Sequence, residues 1–106
     1  GIAASTAGTK MHYDIECFYS ENKSTYIYSQ SNRNYLIDNS LEYWQDKLDP
    51  ESFFRVSRTF IIHVSAIKDI VAYTNSRLRL VLNSFSEVEI IVSRERVKEF
   101  KKWIDR

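Results

Sequence analysis

The sequence predicts a mainly β domain of antiparallel strands with two helices, a short one near 40–48 and a C-terminal one near 93–104. Three observations carry this expectation. Apolar and polar residues alternate with period two along much of the chain, the mark of strands buried on one face. Clusters of Asn, Ser and Thr separate those runs and read as turns. Only two segments, after Asn39-Ser40 and after Ser93, switch to helical spacing.

In chain order, Asp14-Ile15-Glu16-Cys17-Phe18-Tyr19 is the first alternating run. Phe18 and Tyr19 face opposite sides of such a strand, so at least one is expected to be more exposed. Thr25–Gln30 and Tyr35–Ile37 flank a polar turn, Ser31-Asn32-Arg33-Asn34. Asn39 or Ser40 can cap a helix from Leu41 to about Leu48, with Glu42 able to close a capping box on Asn39. Leu41, Trp44 and Leu48 then share one face. Asp49-Pro50 ends it, because the residue before proline avoids helical dihedrals. Phe60–Val64 and Ile67–Tyr73 are rich in β-branched residues. Thr74-Asn75-Ser76 turns the second of these into Arg77–Leu82. Glu87–Val92 alternates as well, and the loop Asn83–Ser86 makes the last two runs a hairpin. Ser93 is the expected N-cap of the final helix, which carries Val97, Phe100 and Ile104 as its apolar stripe to about Ile104.

A length of 106 residues is that of one domain. Hydrophobic content of 43% and aromatic content of 14% suffice for a packed core. No apolar run approaches the roughly 18 residues of a membrane helix, so no membrane contact is expected. Residues 1–11 have neither a basic n-region nor a long apolar stretch. They are read as a tail or truncated N-terminal segment rather than a signal peptide, and 12–106 as the domain. Cys17 is the single cysteine. No disulfide framework can form within the chain, and a reducing cytoplasm is the natural compartment.

Several chemistries lack their residues. Gly1 and Gly8 are the only glycines, which removes phosphate-cradling loops of the usual kind. His12, His63 and Cys17 are scattered without metal-ligand spacing. Cys17 sits in an alternating strand and reads as a small core residue. The carboxylates fall on expected strand outer faces and helix surfaces, and no acid/base pair can be picked out. Neither a catalytic residue, a metal nor a cofactor is therefore expected. Seven Tyr, six Phe and two Trp could stack nucleic-acid bases, or simply fill the core of a small β domain.

The net charge of +1 hides an asymmetry. Residues 1–54 carry four basic and eight acidic side chains, a net −4; residues 55–106 carry eleven and six, a net +5. Such a basic half suits a polyanion partner, or else solvates a surface. Within it, Arg55 and Arg58 lie three apart in Phe53-Phe54-Arg55-Val56-Ser57-Arg58-Thr59-Phe60-Ile61-Ile62-His63. If that stretch is extended, the two point to opposite faces, one packing locally and the other projecting outward. Arg94 stands in the first turn of the final helix, where the macrodipole disfavours a cation. That misplacement suggests another use: an arginine can donate two hydrogen bonds to guanine O6 and N7. The Ser93 hydroxyl and free N–H groups at the same helix end suit a phosphate.

The central stretch resembles the signature of LytTR-type (LytR/AlgR-like) DNA-binding domains of bacterial response regulators. The matching residues are Phe54, Arg55, Val56, Arg58, Phe60, Ile61, Ile62 and Ile67. The family's closing motif is similar to Ile91-Val92-Ser93-Arg94, its first recognition loop to Phe18–Ser24, and its short helix start to Asn39-Ser40-Leu41. The resemblance spans about residues 12–104. Ser57 and Thr59 depart from the pattern, and His63 stands in place of a usual Asn whose structural hydrogen bond is then at issue. The N-terminus is expected to be too short for the family's first strand to be complete.

The resemblance implies an elongated fold whose loops, rather than a helix, enter successive grooves of double-stranded DNA. The implied contact residues are Arg94, Arg58 and Thr25, with Asn22 and Lys23 equally placed to serve in the first loop; Ser93 joins them on the helix-end chemistry given above. It further implies promoter DNA with repeated half-sites, and an N-terminal receiver or sensor domain in the full-length protein. The competing classes are a nonspecific single-stranded nucleic-acid module and a β domain that binds protein through its strand edges.

Overall fold

A computed structural model describes residues 15–30 and 32–105. The expected tail, and Asp14 at the start of the first run, lie outside the described residues. The strands are β1 (Ile15–Glu21), β2 (Ser24–Ser29), β3 (Arg33–Ile37), β4 (Phe53–Ser57), β5 (Phe60–His63), β6 (Ile67–Tyr73), β7 (Arg77–Leu82) and β8 (Ile90–Val92). The helices are α1 (Leu41–Lys47) and α2 (Val97–Asp105), the latter preceded by a 3-10 turn over Arg94–Arg96. The strands form two antiparallel sheets, one ordered β3-β2-β1-β5-β4 and the other β6-β7-β8. The molecule measures 41 × 31 × 24 Å, longest along one axis.

The larger sheet is the middle of three layers, which corrects the expectation for Phe18 and Tyr19. Both are buried. Phe18 belongs to a cluster under α1 with Ile27, Leu41, Phe53 and Ile61, edged by Trp44 and Leu48. Tyr19 belongs to a larger cluster between the two sheets and α2, with Phe60, Leu80, Phe85, Phe100 and Trp103. A strand covered on both faces gives no safe inference from alternation alone. The stripe on α1 packs as expected, while on α2 the buried residues are Phe100 and Trp103, with Val97 and Ile104 at the edge.

Glu87, Val88 and Glu89 do not extend β8, despite their alternation; all three are exposed. The chain before them is occupied otherwise. Phe85 inserts into the core against Tyr19, Tyr28 and Phe60, with ring centroids 5.2, 4.8 and 5.7 Å away. Glu16, expected on a solvated face, is fully buried, and its Oε1 accepts hydrogen bonds from the Ser84 and Phe85 N–H groups at 3.1 and 3.0 Å. A loop fixed by a buried carboxylate and a core aromatic cannot also continue a ladder.

Capping follows local chemistry in part. Of the two candidates Ser40 caps α1, its Oγ accepting from the Tyr43 N–H at 3.3 Å; Asn39 has φ 75 and is not the cap, so the capping box of Glu42 on Asn39 does not form. Ser93 makes no side-chain cap, and its hydroxyl is buried without a partner among the described residues. His63 fills the position usual for Asn: its Nδ1 accepts from the Ser65 N–H at 3.0 Å and caps the 3-10 turn Val64–Ala66.

Cys17 is buried, as its strand position predicts. Burial first, then the nearby Glu16 and Glu87 charges, push its thiol well above the ordinary 9.0. Tyr19 is pushed up to about 12, again mainly by burial. In the unfolded chain these groups lose protons at their ordinary values of 9.0 and 10.0 while the folded chain retains them. The unfolded state then binds fewer protons, so their contribution to stability is whole below pH 9.0 and declines as pH rises toward 12. Thermal unfolding followed across that window is expected to show a falling midpoint, and a flat profile would contradict it.

Candidate nucleic-acid interface

Three exposed places carry the residues singled out by sequence. The first is the tip of the β1–β2 hairpin. What reads as a loop over 18–24 is a tight connection, since Glu21 pairs with Ser24 and only Asn22 and Lys23 lie between. Both have positive φ, 53 and 67, as two-residue turns of the I′ kind require for their twist to match the strands. Both side chains are exposed. Thr25 is not: it lies inside β2, paired with Ser20 and Ile37, at 6% exposure.

The second place is the β4–β5 turn, with Arg58 exposed at its tip. The ladder shifts register between Arg55 and Ser57. The bulge breaks the simple alternation that would set Arg55 and Arg58 on opposite faces, yet the two do play opposite roles. The Arg55 guanidinium turns inward, donating from Nε to the Ser57 carbonyl at 3.1 Å and from Nη2 to the Arg58 carbonyl at 2.7 Å. It also meets Gln45 Oε1 at 3.1 Å and Glu42 Oε2 at 3.0 Å on α1. Glu42's own backbone N–H, then Arg55, hold the Glu42 carboxyl below its ordinary value. Arg58 and Lys23 line one groove of about 500 Å³, with Ser20, Thr25, Asn39 and Glu42 among its walls.

The third place is the entry to α2. Arg94 is exposed in the 3-10 turn and lines a separate shallow cleft with Asn75, Arg77, Ser93 and Glu95. Its backbone is held from below: the Ser93 N–H donates to the Val56 carbonyl at 3.1 Å, and Arg96 Nη1 to the Arg55 carbonyl at 3.1 Å. Arg77 folds back on its own turn, donating to the Thr74 carbonyl and Oγ1 and lying over the Tyr73 ring.

Among the described residues the Arg55–Glu42 contact is the one ion pair. The Arg58 and Arg94 guanidinium groups thus have no carboxylate partner there, and both charges face solvent. No group of three or more His, Cys, Asp or Glu among the described residues could hold a metal ion. The structure therefore joins Lys23, Thr25 and Arg58 in one groove and sets Arg94 and Ser93 in another. Sequence reasoning passed over Asn75, beside Arg94; its signal was an Asn in a glycine-free turn, where φ is 58.

A family model described as the LytTr DNA-binding domain matches residues 11–105. The chain belongs to the LytTR DNA-binding domain family. Within curated proteins, this LytTR domain is 31% identical over 88 residues to the transcriptional regulatory protein YpdB of Escherichia coli (strain K12), covering 81% of the chain and 35% of that protein. It is 33% identical over 69 residues to the sensory transduction protein LytT of Bacillus subtilis (strain 168), covering 65% of the chain and 28% of that protein. The chain thus spans about a third of the length of these relatives. A solved LytTr DNA-binding domain from Bacillus cereus has the same fold, with a TM-score of 0.79, 24% identity, and coverage of 89% of this chain and 84% of that one. No helix among the described residues is long and apolar enough to cross a membrane.

Proposed function

We propose that this LytTR domain recognises a specific sequence in double-stranded DNA as the output domain of a cytoplasmic transcription regulator. In the full-length protein a receiver or sensor domain precedes it, and its targets are repeated half-sites in promoters. Arg94 and Arg58 read bases from the α2 entry and the β4–β5 turn. Lys23, with Asn22, supplies the first-hairpin contact in the adjoining groove. The carrying observation is that Arg58 and Arg94 are exposed and without a carboxylate partner among the described residues, on turns whose backbones are tied to β4. A charge held on a fixed backbone loses little entropy when it meets a base edge or phosphate. Thr25 and Ser93, buried in whole or at the hydroxyl, act here as supports of those turns rather than as direct contacts.

The single-stranded alternative needs exposed rings, yet among the described aromatic residues only Tyr43 is exposed. The test is a duplex recovered by selection from random DNA, compared with unselected duplex over a salt series. Log affinity is expected to fall linearly with log salt, with a slope near −0.9 for each phosphate neutralised. Preference for the selected duplex should persist with chelator present. Equal affinity for both duplexes, or binding indifferent to salt, would overturn the proposal.

A further inference from the structure

We infer that Glu42, acting through Arg55, is a positioning residue for Arg58, so that α1 sets the aim of the β4–β5 turn. This rests on the reading of Arg58 as a DNA contact. Arg58 has no carboxylate partner among the described residues, so its direction is set by the backbone that carries it. Two carbonyls of that backbone, at Ser57 and Arg58, accept from one guanidinium. The same guanidinium is gripped from the other side by Gln45 and Glu42 of α1. A guanidinium is a rigid planar fork, so fixing it at α1 fixes where its remaining donors point. Glu42 supplies the charge-assisted member of that grip.

The burial of the two partners separates positioning from stability. The Arg55 side chain is 9% exposed and the Glu42 side chain 72%. An ion pair open to water on one side adds little to folding. Losing Glu42 leaves Arg55 its Ser57, Arg58 and Gln45 contacts but removes the charge-assisted one, so α1 holds the fork through Gln45 alone and the turn is held more loosely. The fold should persist while the turn loses its aim. Arg94 gives an internal control. Its support runs through the carbonyls of Arg55 and Val56, which accept from Arg96 and Ser93, and not through the Arg55 guanidinium.

The experiment uses the chain with Glu42→Gln, Glu42→Ala and Arg58→Ala, singly and with each Glu42 change combined with Arg58→Ala. The probe is the selected duplex, with base pairs varied one at a time, alongside thermal unfolding. Overall affinity is a poor readout, because removing a carboxylate near DNA also relieves repulsion; discrimination at each base pair is the measurement. Both Glu42 variants are expected to unfold like the parent. They should lose roughly three- to tenfold in discrimination at the position that Arg58→Ala defines, with the Arg94 position unchanged. In the Arg58→Ala background neither should lose anything more, as a residue acting through another must. Unchanged discrimination, an equal loss at every position, or a further loss without Arg58 would overturn the inference while leaving Arg58 as a reader. If Arg58→Ala itself alters neither affinity nor preference, the reading of Arg58 fails first and the inference falls with it.

Discussion

Arg94→Ala is expected to weaken binding to the selected duplex by about 1–3 kcal/mol and to relax base preference at one defined position. Several observations converge on this residue. The guanidinium is exposed, has no carboxylate partner among the described residues, and sits where the dipole of the following helix disfavours a cation. Among the described residues no hydrogen bond or ion pair uses that charge. The backbone beneath it is nonetheless held by Ser93 and Arg96, so the side chain starts from a defined origin. Loss of a phosphate contact alone would weaken all sequences alike and shallow the salt slope by about one. Loss of a bidentate base contact should instead be confined to one base pair. Lys101→Ala and Lys102→Ala, exposed and further along α2, should do far less. The assignment is sunk if Arg94→Ala binds the selected duplex like the parent with its preference intact, as measured by titration of singly varied duplexes.

Phe18→Ala should have the largest effect on stability, about 3–5 kcal/mol. Its side chain is 1% exposed and fills the layer between β1 and α1, with its ring 5.5 Å from Trp44 and 5.8 Å from Phe53. It also lies in β1 where that strand pairs with both β2 and β5. α1 has only one fully covered residue, Leu41, so few other contacts can absorb the cavity. For a domain of this size, each kcal/mol shifts the midpoint by roughly 4–8 °C, so a fall well beyond 10 °C is expected in a thermal melt. A fall of only a few degrees would mean that α1 collapses onto the gap or covers β1 far less than described.

Much of the fold was legible because strands covered on one face advertise themselves. Arg77-Leu78-Arg79-Leu80 alternates, and β7 does pair with β6 and β8. Both helices were legible from spacing and from Asp49-Pro50. What failed to show was whatever depends on a second layer. Nothing in the order of residues around Phe18 and Tyr19 reveals that one face meets α1 and the other meets the smaller sheet. Glu16 looks like any solvated strand carboxylate until Ser84 and Phe85, 68 and 69 residues away, bring their N–H groups to it. The same long-range event delays the start of β8 to Ile90. At the interface, the local motifs around Arg58 and Arg94 were visible, but the burial of Thr25 and of the Ser93 hydroxyl depended on packing. So did the part of Glu42, which by spacing was a capping residue and by contact belongs to Arg55.

The described turns are built without a single glycine. Asn22, Lys23, Asn32, Asn39, Asn75 and Ser76 all take left-handed backbone angles, a region where side chains other than Asn and Asp find little local compensation. Glycine would relax each turn, but would also enlarge the freedom the chain surrenders when it folds. This chain thus keeps its disordered state narrower and accepts local strain in the native one. Lys23 is the sharpest instance, because a long cation replaces the residue its backbone angle favours, at the tip of a hairpin proposed to meet DNA. Relaxing that turn with glycine would remove the charge, so the strain and the contact are inseparable at that position.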